Sequence, residues 1–92
     1  MISRRLDPGF IKRAGGRLER RFGQYEVVTS FLVDAPNRCL RGVLMVYGPN
    51  GALLRTVPAT GPSMSRSDMD EQMRRLLETI AGIEPDGTPR YR

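Results

Sequence analysis

Residues 8–22, Pro8-Gly9-Phe10-Ile11-Lys12-Arg13-Ala14-Gly15-Gly16-Arg17-Leu18-Glu19-Arg20-Arg21-Phe22, decide what kind of fold this chain forms. Phe10, Ala14, Leu18 and Phe22 recur at every fourth position, the spacing of one face of a helix. Lys12, Arg13, Arg17, Arg20 and Arg21 would then crowd the other faces. Gly15-Gly16 works against this pattern, because a glycine inside a helix costs about 1 kcal/mol relative to alanine. The reading adopted is a basic, helical N-terminal segment. The alternative is a break at Gly15-Gly16, with residues 17–22 joining the strand that follows.

Downstream the pattern changes to strands. Residues 24–34 carry Tyr25, Val27, Val28, Thr29, Phe31 and Val33, the β-branched and aromatic types that favour an extended chain. Asp34-Ala35-Pro36-Asn37-Arg38 reads as a loop. Residues 39–47 form a second predicted strand and 52–57 a third. Gly48-Pro49-Asn50-Gly51 turns between them, since proline presets φ and Asn-Gly tolerates positive φ. After a loop at 58–65, Ser67 is the expected N-cap, and Asp68, Asp70 and Glu71 place negative charge in the first turn. Met69, Met73, Leu76, Leu77 and Ile80 make an amphipathic stripe, and Gly82 is the expected C′ residue with Ile83 folding back.

The expected fold is therefore α+β, in the order α-β-β-β-α: a three-stranded antiparallel meander, an amphipathic C-terminal helix and the basic N-terminal segment. Residues 1–83 make one small domain, and the polar, Pro/Gly-rich residues 84–92 are expected to be a disordered tail. Alternation places Val28 and Leu32 on one face of the first strand, and Leu40, Leu44 and Val46 on one face of the second. These five residues form the expected partner-binding set. One helix covers one face of so small a sheet, so the other needs the N-terminal segment, a second subunit or a partner. Homodimerisation is an expectation on this ground.

The chain has 92 residues, enough for one domain of modest core. No apolar run approaches the about eighteen residues of a membrane helix, and residues 1–8 lack the apolar stretch of a signal peptide. Cys39 is the sole cysteine, which excludes an internal disulfide and suits a reducing cytoplasm. Charge is distributed unevenly. Residues 1–21 hold seven basic side chains against two carboxylates, net +5, whereas residues 22–92 balance eight arginines against eight carboxylates. Such a basic segment attracts phosphate polymers or acidic surfaces.

Catalysis finds little support. There is no histidine, so the commonest general base and metal ligand is missing. Cys39 lies mid-strand and reads as a small packed residue. Asp68, Asp70 and Glu71 are explained by the helix N-terminus. Gly48-Pro49-Asn50-Gly51 is followed by no Gly-Lys-Ser/Thr and is not a P-loop. No enzyme activity, catalytic residue, metal or cofactor is expected.

Binding is the expected role, with DNA, RNA or a ribonucleoprotein as partner and no membrane. Arg4, Arg5, Lys12, Arg13, Arg17, Arg20 and Arg21 would supply phosphate contacts, with Arg41 and Arg55 adding charge from the hairpin. Phe22 and Tyr25 stack on bases if exposed and otherwise pack in the core. The element order over residues 8–81 resembles the double-stranded-RNA-binding domain. That family opens its second helix with a lysine-rich, phosphate-gripping run, where this chain has Ser67, Asp68, Asp70 and Glu71, so membership is not assigned. The alternative is a protein-binding module: a homodimeric adaptor, or an inhibitor of the anti-CRISPR or anti-restriction kind encoded by a phage or mobile element. Met64, Met69 and Met73 would offer it an adaptable surface.

Overall fold

The computed structural model describes residues 11–34, 36, 38–62 and 65–92. Its principal element is a five-stranded antiparallel sheet in sequential order: β1 (Ile11–Ala14), β2 (Arg17–Phe22), β3 (Tyr25–Asp34), β4 (Cys39–Tyr47) and β5 (Leu53–Pro58). Helix α1 (Arg66–Thr79) follows, and a separate two-stranded hairpin, β6 (Ile80–Ile83) and β7 (Pro89–Tyr91), completes the chain.

The expected three-stranded meander with an N-terminal helix is thus incorrect. Residues 11–22 form a β-hairpin, while residues 8–10 of the expected helix lie outside the described residues. Gly15 and Gly16 decide this. Both have positive φ, 59° and 79°, and Ala14 pairs with Arg17 across them. Two consecutive positive φ values are what a two-residue type I′ hairpin turn requires, and glycine adopts them without strain. The same pair that weakens a helix therefore favours the hairpin. The resemblance to the double-stranded-RNA-binding domain falls with the helix.

Register then sorts the side chains. Ile11 opposes Arg20 and Arg13 opposes Leu18, so odd positions of β1 share a face with even positions of β2. In β3 and β4 the pairs Val27–Val46, Thr29–Leu44 and Phe31–Gly42 lie on this same face. Leu18, Val27, Leu44 and Val46 are buried here against Leu77 and Ile80, with Ile11, Phe22, Val57, Ala59, Leu76 and Ile83 packed around them. Thr29 is buried too, and its Oγ1 accepts from the Leu18 N–H at 2.9 Å, which satisfies the hydroxyl oxygen within the core.

Helix α1 lies over this face. Its N-cap is Ser65, not the expected Ser67: the Ser65 Oγ accepts from the Asp68 N–H at 3.2 Å. Met69, Met73 and Leu77 are buried along its inner stripe. Met73 comes so close to β4 that a Cβ on Gly42 would stand 2.6 Å from its sulfur, so the helix approaches the sheet over a position with no side chain. The helix ends at Ile80, which is already extended at φ −72° and ψ 125°. Gly82 is therefore a strand residue and not the C′ glycine.

Residues 84–92, expected to be a disordered tail, turn back and pair as β7 with β6. Asp86 accepts from the Thr88 N–H at 3.0 Å within the turn, and the Arg92 N–H donates to the Thr79 carbonyl at 2.7 Å. Gly87 and Pro89 are buried, Gly87 against Leu54 and Arg55 of β5. Among the described residues no helix is long and apolar enough to cross a membrane.

Candidate nucleic-acid interface

The sheet face away from α1 carries Lys12 of β1, Arg17, Glu19 and Arg21 of β2, Glu26, Val28, Ser30 and Leu32 of β3, and Arg41, Val43, Met45 and Tyr47 of β4. No element of the described residues packs over it as α1 does on the other side. Four cations and two carboxylates stand there among the described side chains. Lys12 and Glu19 are cross-strand partners 3.9 Å apart, with the lysine head largely exposed. Arg17 and Arg21 are exposed and enter no ion pair among the described residues, and Arg41 is exposed at the far side.

The nine basic residues expected to bind phosphate are therefore divided. Lys12, Arg17, Arg21 and Arg41 share the open face. Arg13 and Arg20 point to the opposite face, and Arg4 and Arg5 lie outside the described residues. Arg55 is drawn to the β6–β7 turn, where it pairs with Asp86 at 3.4 Å. Arg20 is buried, with its guanidinium 4.5 Å from the Phe22 ring centroid and donating to the Leu77 carbonyl. Helix α1 has no basic residue in its last turn, so Arg20 supplies from the sheet the cation that the carbonyl end of a helix favours. Its role is structural. Phe22, half-buried beside it, likewise packs against the core on the α1 side of the sheet.

The five apolar residues expected to bind a partner are divided as well. Leu44 and Val46 are fully buried under α1, and Leu40 is on that same side. Val28 and Leu32 are on the open face. Beyond the reach of β2 and β5, β3 and β4 continue as a two-stranded arm whose tip exposes Leu32 by 59% and Val33 by 62%. Cys39 is half-buried near this tip.

Helix α1 presents a different surface. Arg66 pairs with Asp70 at 3.5 Å, Arg74 with Glu71 at 2.9 Å and Glu78 at 2.6 Å, and Arg75 with Glu71 at 3.1 Å. Hydrogen bonds from Arg74 first, and from Arg75, hold Glu71 below the usual carboxylate range. This ladder neutralises its own charge, and three arginines against four carboxylates leave α1 slightly acidic. Among the described residues no acidic cluster forms a metal-holding group. Arg66 also reaches the β1–β2 turn, donating to the Gly16 carbonyl at 3.1 Å and lying 4.4 Å from the Phe31 ring centroid. A cleft of about 120 Å3 between that turn and the start of α1 is therefore spanned by a structural tie.

A hollow of about 250 Å3 lies at the edge of the open face, between Arg21, Glu26, Tyr47 and the β4–β5 turn. Alternation in 17–22 could have separated Arg20 from Arg21, because Leu18 and Phe22 mark the core-facing positions. Comparison with protein-family models, with curated proteins and with solved structures gives no match to this chain.

Proposed function

We propose that the protein binds a nucleic-acid strand, alone or within a nucleoprotein, across the open face of its sheet, and that its role is binding and not catalysis. The observation that carries this reading is the collection of Lys12, Arg17, Arg21 and Arg41 from three strands onto one face that no element of the described residues covers, opposite a slightly acidic helix. Cations at the spacing of neighbouring strands follow a phosphate backbone, and binding by counterion release needs no deep pocket. The N-terminal concentration of charge noted in the sequence supports the same assignment.

The test is fluorescence anisotropy of labelled DNA and RNA strands over a range of salt. For a single strand, log K falls by about 0.7 per phosphate contact for each tenfold rise in salt. Replacing Lys12, Arg17, Arg21 and Arg41 together by glutamine is expected to flatten that slope by up to about 3. Replacing Arg74 and Arg75 on α1 is expected to leave it unchanged. Absence of binding at low salt, or an unaltered slope in the fourfold variant, rejects the proposal.

A second reading rests on the arm. Leu32 and Val33 expose apolar surface on opposite faces of one strand tip, which suits docking on another protein as an adaptor or inhibitor, or on a second copy of this chain. That complex would withstand high salt and be lost on changing Leu32 and Val33 to serine, with the fourfold variant unaffected.

A further inference from the structure

We propose that the hollow at the Tyr47 end of the open face receives one base of the bound strand and prefers guanine, a step that rests on the nucleic-acid reading above. The hollow encloses about 250 Å3 and is lined by Arg21, Gln24, Glu26, Tyr47, Pro49 and the turn glycines. Three kinds of chemistry meet there. Arg21 stands on the open face at the rim, in the same row of β2 as Arg17 four residues earlier, with Glu19 between them. Tyr47 leans along β4, its hydroxyl 4.0 Å from the Met45 sulfur, and its side chain lines the hollow as an aromatic wall. Glu26 brings a carboxylate between them.

Arg21 and Glu26 are direct cross-strand partners of opposite charge, yet neither enters an ion pair among the described residues. Both heads are thus open to a ligand that separates them. Arg21 meets the phosphate, as guanidinium forks do. A carboxylate only accepts hydrogen bonds, so Glu26 selects a base edge that donates. Guanine offers two adjacent donors, N1–H and the N2 amino group, which the two carboxylate oxygens accept together. Adenine and cytosine offer one amino group at that edge, and uracil and thymine one ring N–H. The Gln24 amide, in the turn beside the hollow, supplies a donor for guanine O6. Stacking on Tyr47 favours a purine and contributes with any base.

The experiment uses the full chain and labelled single strands of one length, each a thymidine background with a single central guanine, inosine, adenine, cytosine or thymine. Guanine is expected to bind about tenfold or more tightly than adenine or cytosine, the discrimination of one bidentate contact. Inosine, which lacks the N2 amino group, is expected to lose most of that advantage. Glu26→Gln is expected to erase the preference while the salt dependence of binding persists. Tyr47→Ala is expected to weaken all strands by about tenfold, with Tyr47→Phe retaining wild-type binding as the check on folding. Equal binding of all five strands by the wild type, or a preference that survives Glu26→Gln, overturns the base site and leaves the phosphate face standing. Failure to bind any strand overturns both.

Discussion

Arg20 and Arg21 are adjacent and chemically identical, yet the strand pleat sends their guanidiniums to opposite faces of the sheet. Arg21 faces solvent, whereas Arg20 reaches the Leu77 carbonyl and lies against Phe22. A hydrogen bond from a charged donor contributes about 1.5–3 kcal/mol, and Arg20 also meets the negative end of the helix. Arg20→Ala is accordingly expected to lower stability by about 2–3 kcal/mol in urea unfolding while leaving strand binding intact. Arg21→Ala should do the reverse, staying within about 0.5 kcal/mol of wild type in stability and weakening binding. An unchanged unfolding midpoint for Arg20→Ala would refute the capping role. The division was legible once residues 17–22 are read as a strand, since Leu18 and Phe22 bracket Arg20. It is invisible when they are read as a helix.

At the scale of elements, the hairpin and the helix show why one stretch misled and another did not. Phe10, Ala14, Leu18 and Phe22 repeat every four residues, and four is both near a helical turn and an even number of pleats. Spacing alone therefore does not separate helix from strand here. The glycine pair settles it by turning the chain, and the turn also switches parity, so Ile11 joins Leu18 and Phe22 on the packed face. Helix α1 was legible because Leu76 stands beside Leu77 and Ile80 follows three residues later, which breaks the even alternation that Met69, Met73 and Leu77 alone would share with a strand. Its ion-pair ladder makes it pH-sensitive. Glu71 is held below its usual value near 4.5 chiefly by Arg74 and Arg75. A depressed carboxylate stabilises the fold fully above its unfolded value, and that stabilisation fades as pH falls through the folded one. Thermal unfolding is expected at lower temperature once pH drops below about 4.5, with Glu71→Gln flattening part of that fall. High salt should shrink the difference, because these side chains are exposed. A profile identical in Glu71→Gln and wild type would remove the ladder from the explanation.

At the scale of the whole molecule, the end of the chain supports the sheet. Pro89 and Gly87 are buried, Arg55 pairs with Asp86, and the Arg92 N–H closes on Thr79. Ending the chain at Ile83 strips these contacts from β5, β6 and the helix terminus. Loss of about 2 kcal/mol would lower Tm by about 8–16 °C in a domain of this size. A disordered tail would leave Tm unchanged, so one melting curve on the truncated chain separates the alternatives. The division of charge also belongs to this scale. One face holds Lys12, Arg17, Arg21 and Arg41, the helix is slightly acidic, and the arm presents Leu32 and Val33 at its tip.

The sequence by itself determined the elements whose signals are local: the amphipathic helix, the turn at Gly48-Pro49-Asn50-Gly51, the alternating strands on either side of it, and the N-terminal surplus of charge. Only the tertiary structure decided which side each strand turned to the core, that residues 11–22 pair as a hairpin, and that 84–92 fold back onto the sheet. Pairing register and the contacts that bury a face involve residues far apart in the chain. Alternation within one strand defines two faces, but neighbouring strands and the helix choose which of them is dry.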